Sequence, residues 1–516
     1  MTQTISKPKI TSTILGASNE VQNAAQKILV IGQKVAAGSK TSGELVEDIT
    51  QSNISSYFGS NSMIANMLRA LKDENKKSKV DAIPLDDDLS GVAPTGDVNF
   101  SGTATENGTL SVAIGSTTDN KYDLAITSGD TASDVGDALE AAVNADTNAP
   151  FTANNVAGVV TLTMDNDGTE GNQLGIRILA TVAGITQTIT KFNGGAGNPS
   201  LTGLFDVING VRYQTIVFPA TYGLTEIKAE MLTRWDADNK ILDGLVIVCK
   251  TDTLALLKST YTSENNQQIA ILGNALIDNA NHKGPVHLEI DYKVSARIAG
   301  LRAKRLTTDE PISSITVAGV NGARDSFGGD AIRSLPYHNT PLSNIPLAPS
   351  GLGFTQDEIE ELEDAGVSVF GNNTANNNVI LGAFVTSYKT DAGGNADISF
   401  KFVNYVDTMS GVREYQMNNL KSKYAQSRLT EGILQAGRNM ANADSIEGYL
   451  IKLYGDLSGS DYVLTQAGET ALNYYKNNLS VAISLANGKA TVQQKVPIVT
   501  QLREIILPVQ LSFSTT

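Results

Sequence analysis

The feature that most constrains this chain is a break in its pattern. An α/β rhythm starts near residue 27, stops near residue 91 and resumes only near residue 196. Lys27-Ile-Leu-Val-Ile-Gly32 reads as a short buried strand ending in glycine. Met63, Met67, Leu68 and Leu71 then recur at helical spacing, and residues 79–85 give a second short strand. Two strands and a helix cannot bury their own faces, so their neighbours must come from later in the chain. After Gly194-Gly-Ala-Gly197 the candidates arrive: a strand at 211–218, a helix at 224–235, a strand at 245–249 and a helix at 253–261. Strands alternating with helices of this length imply a sheet connected by crossovers. We therefore expect one discontinuous central α/β domain, residues 23–91 and 196–340.

The interruption, residues 92–195, has another texture. It is rich in Gly, Thr, Asn and Asp, with short alternating runs at 110–114, 122–126, 159–164 and 174–179, and one helical stretch at 131–145. It holds 12 acidic against 3 basic residues, so a fifth of the chain carries more than half of the net charge of −15. An acidic β-sandwich inserted at a loop of the central domain is the expected form. Asp86-Asp-Asp88 and Asp165-Asn-Asp-Gly168 read as solvated turns. An EF-hand loop opening at Asp165 needs a bidentate acid eleven residues on, where Ile176 stands.

Beyond the prolines at 336, 341, 346 and 349, an α+β domain is expected over 341–498. It comprises an acidic helix at 356–365, a hairpin of 379–389 with 396–404 around Asp391-Ala-Gly-Gly-Asn395, a long helix at 412–441 and another near 466–478. The ends differ from all of this. Residues 1–22 are polar, β-leaning and without helical period, an extended arm. In the last segment, 499–516, Ile505, Leu507, Val509, Leu511 and Phe513 share one parity, opposite Glu504, Gln510 and Ser512, as in a half-buried strand. Such a terminal strand pairs either within its own domain or on a neighbour's sheet edge.

Catalytic chemistry finds little to use. The histidines are His282, His287 and His338; no G-x-S-x-G surrounds a serine, and His282 and His287 flank Gly284-Pro285 rather than lying at helical i,i+4 spacing. Cys249, the single cysteine, ends an apolar strand and reads as a buried hydrophobe; one cysteine excludes an internal disulfide and a cysteine-based zinc cluster. The glycine clusters at 32–38 and 194–197 lack the residues of a phosphate-binding loop. No enzyme, cofactor or metal is expected. An excess of acid argues against direct nucleic-acid binding. No apolar run approaches the roughly 18–20 residues of a membrane span, and no secretory signal is readable.

One charged feature stands out. On a helix over 412–441, Tyr415, Ala425, Leu429, Ile433, Ala436 and Met440 fall within one quadrant, and Arg413, Lys421, Lys423, Arg428 and Arg438 on the opposite half. A concentrated cationic face on so acidic a chain suits an acidic partner.

Asn198-Pro199 with Val211-Arg-Tyr-Gln-Thr-Ile-Val-Phe-Pro219 and Leu232-Thr-Arg-Trp235 resembles the central domain of contractile-tail sheath proteins, in the branch typified by phage Mu. The order continues with Pro341-Leu-Ser-Asn-Ile-Pro-Leu347, Phe354, a helix ending Leu362-Glu-Asp-Ala-Gly-Val-Ser368, the strand Phe384-Val-Thr-Ser-Tyr388 and the hairpin Gly394-Asn-Ala-Asp397. The family's "Arg-x-Val-Thr-Thr-Tyr" strand has Ala383 here in place of the arginine and Ser387 for the second threonine. The resemblance covers most of 196–513, and the acidic insertion is similar to the sandwich this branch carries.

The resemblance implies a non-enzymatic structural subunit of a tail sheath, polymerising as stacked rings around a tail tube and contracting to drive that tube through a host envelope for genome ejection. It implies a fold of α/β and α+β class, multidomain, whose C-terminal domain is completed by terminal-arm strands of neighbouring subunits. Ile10 and Ile14 are then expected in the N-terminal arm strand, and Ile505, Leu507, Val509, Leu511 and Phe513 in the C-terminal one. Arg413, Lys421, Lys423 and Arg428 are expected to face the tube, with the helix at 466–478 as a rival. Implied partners are further copies of itself, the tail tube protein, and baseplate and tail terminator proteins, in a virion assembled in the host cytoplasm. The sheath of a phage-derived bacteriocin or injection system fits equally. A surface adhesin with a carbohydrate-binding sandwich is the alternative of another class.

Overall fold

The computed structural model describes residues 26–208, 210–236, 242–307, 337–374, 376–458 and 465–500. Both terminal arms, with Ile10, Ile14, Ile505, Leu507, Val509, Leu511 and Phe513, lie outside the described residues.

The chain opens with β1 (Lys27–Gln33), α1 (Ile54–Phe58), α2 (Met63–Glu74) and β2 (Lys79–Leu85). β1 is apolar at successive positions because both its faces are covered, the signature of a parallel interior strand. α2 begins where the Ser62 hydroxyl accepts from the Ala65 amide at 3.2 Å. The next stretch holds β3 (Thr95–Gly102), β4 (Gly108–Ile114), β5 (Lys121–Ile126), α3 (Ala132–Ala145), β6 (Phe151–Val156), β7 (Val159–Met164), β8 (Ile176–Ala180) and β9 (Ile185–Asn193). Thr131 and Asp134 close a capping box on α3. Then come β10 (Thr215–Val217), α4 (Thr225–Trp235), β11 (Leu245–Asp252), α5 (Leu254–Tyr261), β12 (Ile269–Asp278), β13 (His282–Pro285) and α6 (Asp291–Thr307).

The main sheet runs β2-β1-β10-β11-β12-β13-β8-β4-β5. Its first five strands are parallel, so strands from before and after the interruption do lie side by side: Ile28 opposes Thr215, and Thr215 opposes Leu245. The α/β class read from the sequence holds. The interrupting stretch is less detached than expected. Strands β6-β7-β3-β9 make a separate antiparallel sheet, but β8, β4 and β5 extend the main one, because β13 pairs on β8 with His282 opposite Arg177.

α6 was not read from the sequence, yet it is the central helix. It packs on α2, β10 and β11. Its polar residues turn inward and are paired: Lys293 meets Glu289 at 3.1 Å and also Asp119, and Arg297 reaches Glu289 at 3.3 Å. Gly300 allows α2 to lie close, since a Cβ there would sit 2.7 Å from the Leu71 carbonyl oxygen.

The last part holds α7 (Gln356–Asp364), β14 (Val367–Asn373), β15 (Asn378–Leu381), α8 (Val403–Tyr424), β16 (Arg428–Leu429), β17 (Met440–Ala441), α9 (Ala443–Leu457), α10 (Glu469–Asn477), β18 (Ser480–Ser484) and β19 (Lys489–Gln493). β14 joins β12 in parallel and carries β15 antiparallel. The hairpin expected at 379–389 and 396–404 reduces to single bridges, Val385 with Phe402 and Thr390 with Ala396; residue 385's neighbours bond instead into the main sheet, the Ser387 amide to Ile269 O at 2.7 Å. α8 passes from one core to another. Val403 belongs to the main core, while Val412 and Tyr415 belong to a second one with Ile446, Leu450, Leu453, Leu457 and Val481.

Candidate functional site

The long helix expected over 412–441 is two elements with a loop between them. α8 starts nine residues earlier, at Val403, and stops at Tyr424. Residues 428–429 then pair in parallel with 440–441: the Arg428 amide donates to Asn439 O at 3.0 Å, and the Thr430 amide to Ala441 O at 2.9 Å. These bonds replace the helical ones, so the face projected on a continuous helix is not formed. Residues 430–439 project as a loop, with Gly437 in the left-handed region at φ +74°. At its tip Ile433 is 92 % exposed and Leu434 39 % exposed.

The four expected tube-facing residues separate accordingly. Arg413 is turned into the subunit: its guanidinium donates to the Trp235 carbonyl at 2.8 Å and lies over the indole, 5.5 Å from the centroid. Neighbouring Glu414 is held by Arg212 at 2.9 Å. Lys421 is exposed on the last turn of α8. Lys423 is exposed too, its ammonium 3.6 Å from the Tyr449 ring centroid. Arg428 is exposed but off the helix, at the base of the loop with Arg438. The structure thus leaves Lys421 and Lys423 exposed on the last turn of α8, on different sides of the helix, and takes Arg413 and Arg428 away from it. The loop was missed because its apolar residues fit a helical period; Gly432 and Gly437 inside that period were the available signal.

β18 and β19 form a two-stranded sheet, Val481 opposite Val492, packed on α9. A lone hairpin is marginal in water, and three or more strands are needed for independent stability. The Val481 amide is satisfied by Glu447 Oε1 at 3.0 Å.

The expected solvated turn at 165–168 is instead the clasp that locks the interrupting stretch to the core. Asn166 is buried; its Oδ1 accepts from the Met63 amide at 2.9 Å, and its Nδ2 donates to Lys34 O and Asp87 Oδ1, both at 3.0 Å. Gln33 Nε2 donates to Asp167 O at 2.8 Å and accepts, through Oε1, from the Tyr222 hydroxyl at 2.8 Å. Beside it Glu170 is buried, accepting from the Thr221 hydroxyl at 2.7 Å through Oε2, while Oε1 has no partner. Burial foremost, then the nearby Asp291 carboxylate, pushes Glu170 up to about 7 against the opposing pull of Lys250 and Thr221.

His282 and His287 serve the scaffold. His282 Nε2 lies 2.9 Å from Pro285 O, and His287 Nδ1 2.9 Å from Pro346 O; burial pushes both down to about 4. Cys249 is buried beside Asp291. Among the described residues, no group of three or more His, Cys, Asp or Glu is placed to hold a metal, and no helix is long and apolar enough to cross a membrane.

With this geometry in view, similarity to known proteins decides the reading. The Mu-like prophage FluMu tail sheath protein of Haemophilus influenzae is 26% identical over 445 residues, covering 84% of this chain and 83% of that protein. The chain is similar to a Mu-like tail sheath protein over most of its length. No family model matches it. Among solved structures, the sheath tail protein Lin1278 of Listeria innocua is 15% identical with a TM-score of 0.45, covering 93% of each chain. The anti-feeding prophage helical sheath in its contracted state is 12% identical with a TM-score of 0.46, covering 94% of this chain and 93% of that one. The similarity to the Haemophilus influenzae protein extends over most of the chain.

Proposed function

We propose that this chain is the sheath subunit of a contractile tail. The similarity to a Mu-like tail sheath protein over 84% of the chain carries the reading. Copies polymerise as a helical stack of rings around a tube. On triggering, the stack shortens and drives the tube through the host envelope, ejecting a genome. The particle assembles in the host cytoplasm, with baseplate and terminator proteins at the two ends of the stack. The work comes from a metastable packing with two alternatives, not from nucleotide hydrolysis.

Terminal arms hold the stack together in this proposal. Ile505, Leu507, Val509, Leu511 and Phe513 of one copy, with the segment around Ile10 and Ile14 of another, add strands to the β18–β19 sheet of a neighbour. The thinness of that two-stranded sheet supports this. About five inter-chain hydrogen bonds at ~0.5–1.5 kcal/mol each contribute a few kcal/mol before side-chain packing. The tube contact is carried by Lys421 and Lys423, whose exposure at the end of α8 suits an acidic tube surface. Deleting residues 502–516 is expected to leave soluble monomer, and sheath-like polymer from that variant would overturn the arm exchange. Lys421→Glu with Lys423→Glu is expected to weaken tube attachment with a reduced salt dependence; unchanged attachment would rule out that contact.

A further inference from the structure

A groove of about 560 Å³ lies where the main sheet splits around β12, with β13 on one branch and β14 on the other. Val286, Leu347, Leu352, Phe354 and Val369 line it. Leu352 at the rim is 41 % exposed. The floor at Gly371 is open: a Cβ there would touch nothing within 4 Å. A cavity of roughly 150 Å³ already takes a benzene-sized group, so two aliphatic side chains fit with room for backbone.

The helix beside the groove is acidic. α7, whose Ile359 also lines the groove, reads Gln-Asp-Glu-Ile-Glu-Glu-Leu-Glu-Asp. Glu361 and Asp364 are neutralised by Lys258 at 2.7 Å and Lys401 at 2.8 Å. Asp357 and Glu360 are exposed, and no basic side chain pairs with them among the described residues. A groove with an apolar wall, flanked by carboxylates that no cation neutralises among the described residues, suits an apolar tip between cations.

The loop at 430–439 has that form. Ile433 and Leu434 stand at its end, and Arg428 and Arg438 at its base, with no acidic partner among the described residues. Residues 421–441 hold four basic residues and one acidic in a chain of net charge −15. We propose that this loop of one copy inserts Ile433 and Leu434 into the groove of a second copy, with Arg428 and Arg438 against Asp357 and Glu360. Two aliphatic anchors flanked by charge pairs are the arrangement in which a few residues carry most of an interface. Tip and groove are different patches of one subunit, so the contact runs head to tail and propagates into a ring or a helix rather than closing a pair. It needs only that copies associate, which is one part of the sheath reading, and it involves neither terminal arm.

The test uses the full chain. Leu434→Cys and Leu352→Cys proteins are mixed, oxidised mildly and scored for linked dimer on a non-reducing gel; the native Cys249 is buried and common to every sample. Leu434→Cys mixed with Leu89→Cys, a fully exposed position elsewhere, is the control. The expected result is at least about tenfold more dimer from the first mixture than from the control, as a specific contact requires. Equal yields overturn the proposal. Arg428→Glu with Arg438→Glu is expected to reduce assembly at least about tenfold, and adding Asp357→Lys and Glu360→Lys in the same chain to restore it. Failure of the restored chain to assemble also counts against the contact. Gly371→Phe fills the slot from its open floor and should abolish the cross-link. Normal tubes without the cross-link would leave the sheath reading standing and sink this one; a cross-link without tubes would do the reverse.

Discussion

Replacing Glu170 by glutamine should change how stability responds to pH without changing the fold. Glu170 is buried near the Asp291 carboxylate, which together with burial raises it, while Lys250 and the Thr221 hydroxyl donating to Oε2 pull the other way. Its carboxyl moves from an ordinary value of 4.5 up to about 7 on folding. A raised folded value means that the proton is held more tightly in the native state. The resulting stability is complete below pH 4.5 and is lost as pH rises through about 7. The two and a half pH units between, at ~1.4 kcal/mol each, amount to roughly 3 kcal/mol. Glutamine keeps the acceptor for Thr221 and does not titrate. Urea unfolding of both proteins, followed through Trp235, the only tryptophan, should give Glu170→Gln the advantage at pH 8 by on the order of 3 kcal/mol, shrinking towards pH 5. Taking the difference between the two proteins cancels every other titrating group. Parallel pH profiles would refute the reasoning, because they would mean that Glu170 is ionised and solvated in the native protein.

Three further outcomes are expected. His282 and His287 are neutral and buried, with folded values near 4 against 6.5, so stability should fall as pH drops from about 6.5 to 4; replacing His287 by Gln should flatten that fall in acid urea titrations. Asp407 receives the Tyr337 hydroxyl at 2.7 Å and pairs with buried Arg302, so Asp407→Leu should cost ~3–5 kcal/mol in urea unfolding by leaving a buried cation without its counter-ion. Gly244→Ala would place a Cβ 2.1 Å from the Tyr213 carbonyl oxygen at the start of β11, and a loss at the upper end of ~1–3 kcal/mol should appear in the same assay.

What the sequence made legible follows from where the driving force was local. β1 was readable because the apolar run Ile28–Ile31 announces a strand covered on both faces, and β2 because Val80, Ala82, Ile83 and Leu85 crowd a short segment; the capping box of Thr131 and Asp134 accounts for the helix expected at 131–145. α6 was hidden for the opposite reason. Asp291, Lys293, Arg297 and Arg302 break its apolar stripe, and only tertiary partners, Glu289, Asp119 and Asp407 among them, make their burial tolerable. The turn at Asn166 looked solvated because turn residues are the same whether they face water or clasp another segment. The surface around α8 was half legible. Lys421 and Lys423 fell on an exposed end as the helical period required, but the period was carried too far, past Tyr424, where pairing of 428–429 with 440–441 outcompetes helix and throws Arg428 onto a loop. The groove could not be read at all, since its walls come from β12, the residues just after β13, β14 and the segment at 347–354, distant in sequence and joined only by the sheet.

Electron microscopy of the purified full chain tests the central claim most directly. Hollow helical tubes of stacked rings, lost when residues 502–516 are removed, are the result this account predicts. A discrete globular particle under every assembly condition, at concentrations and salts where sheath subunits should polymerise, would contradict it.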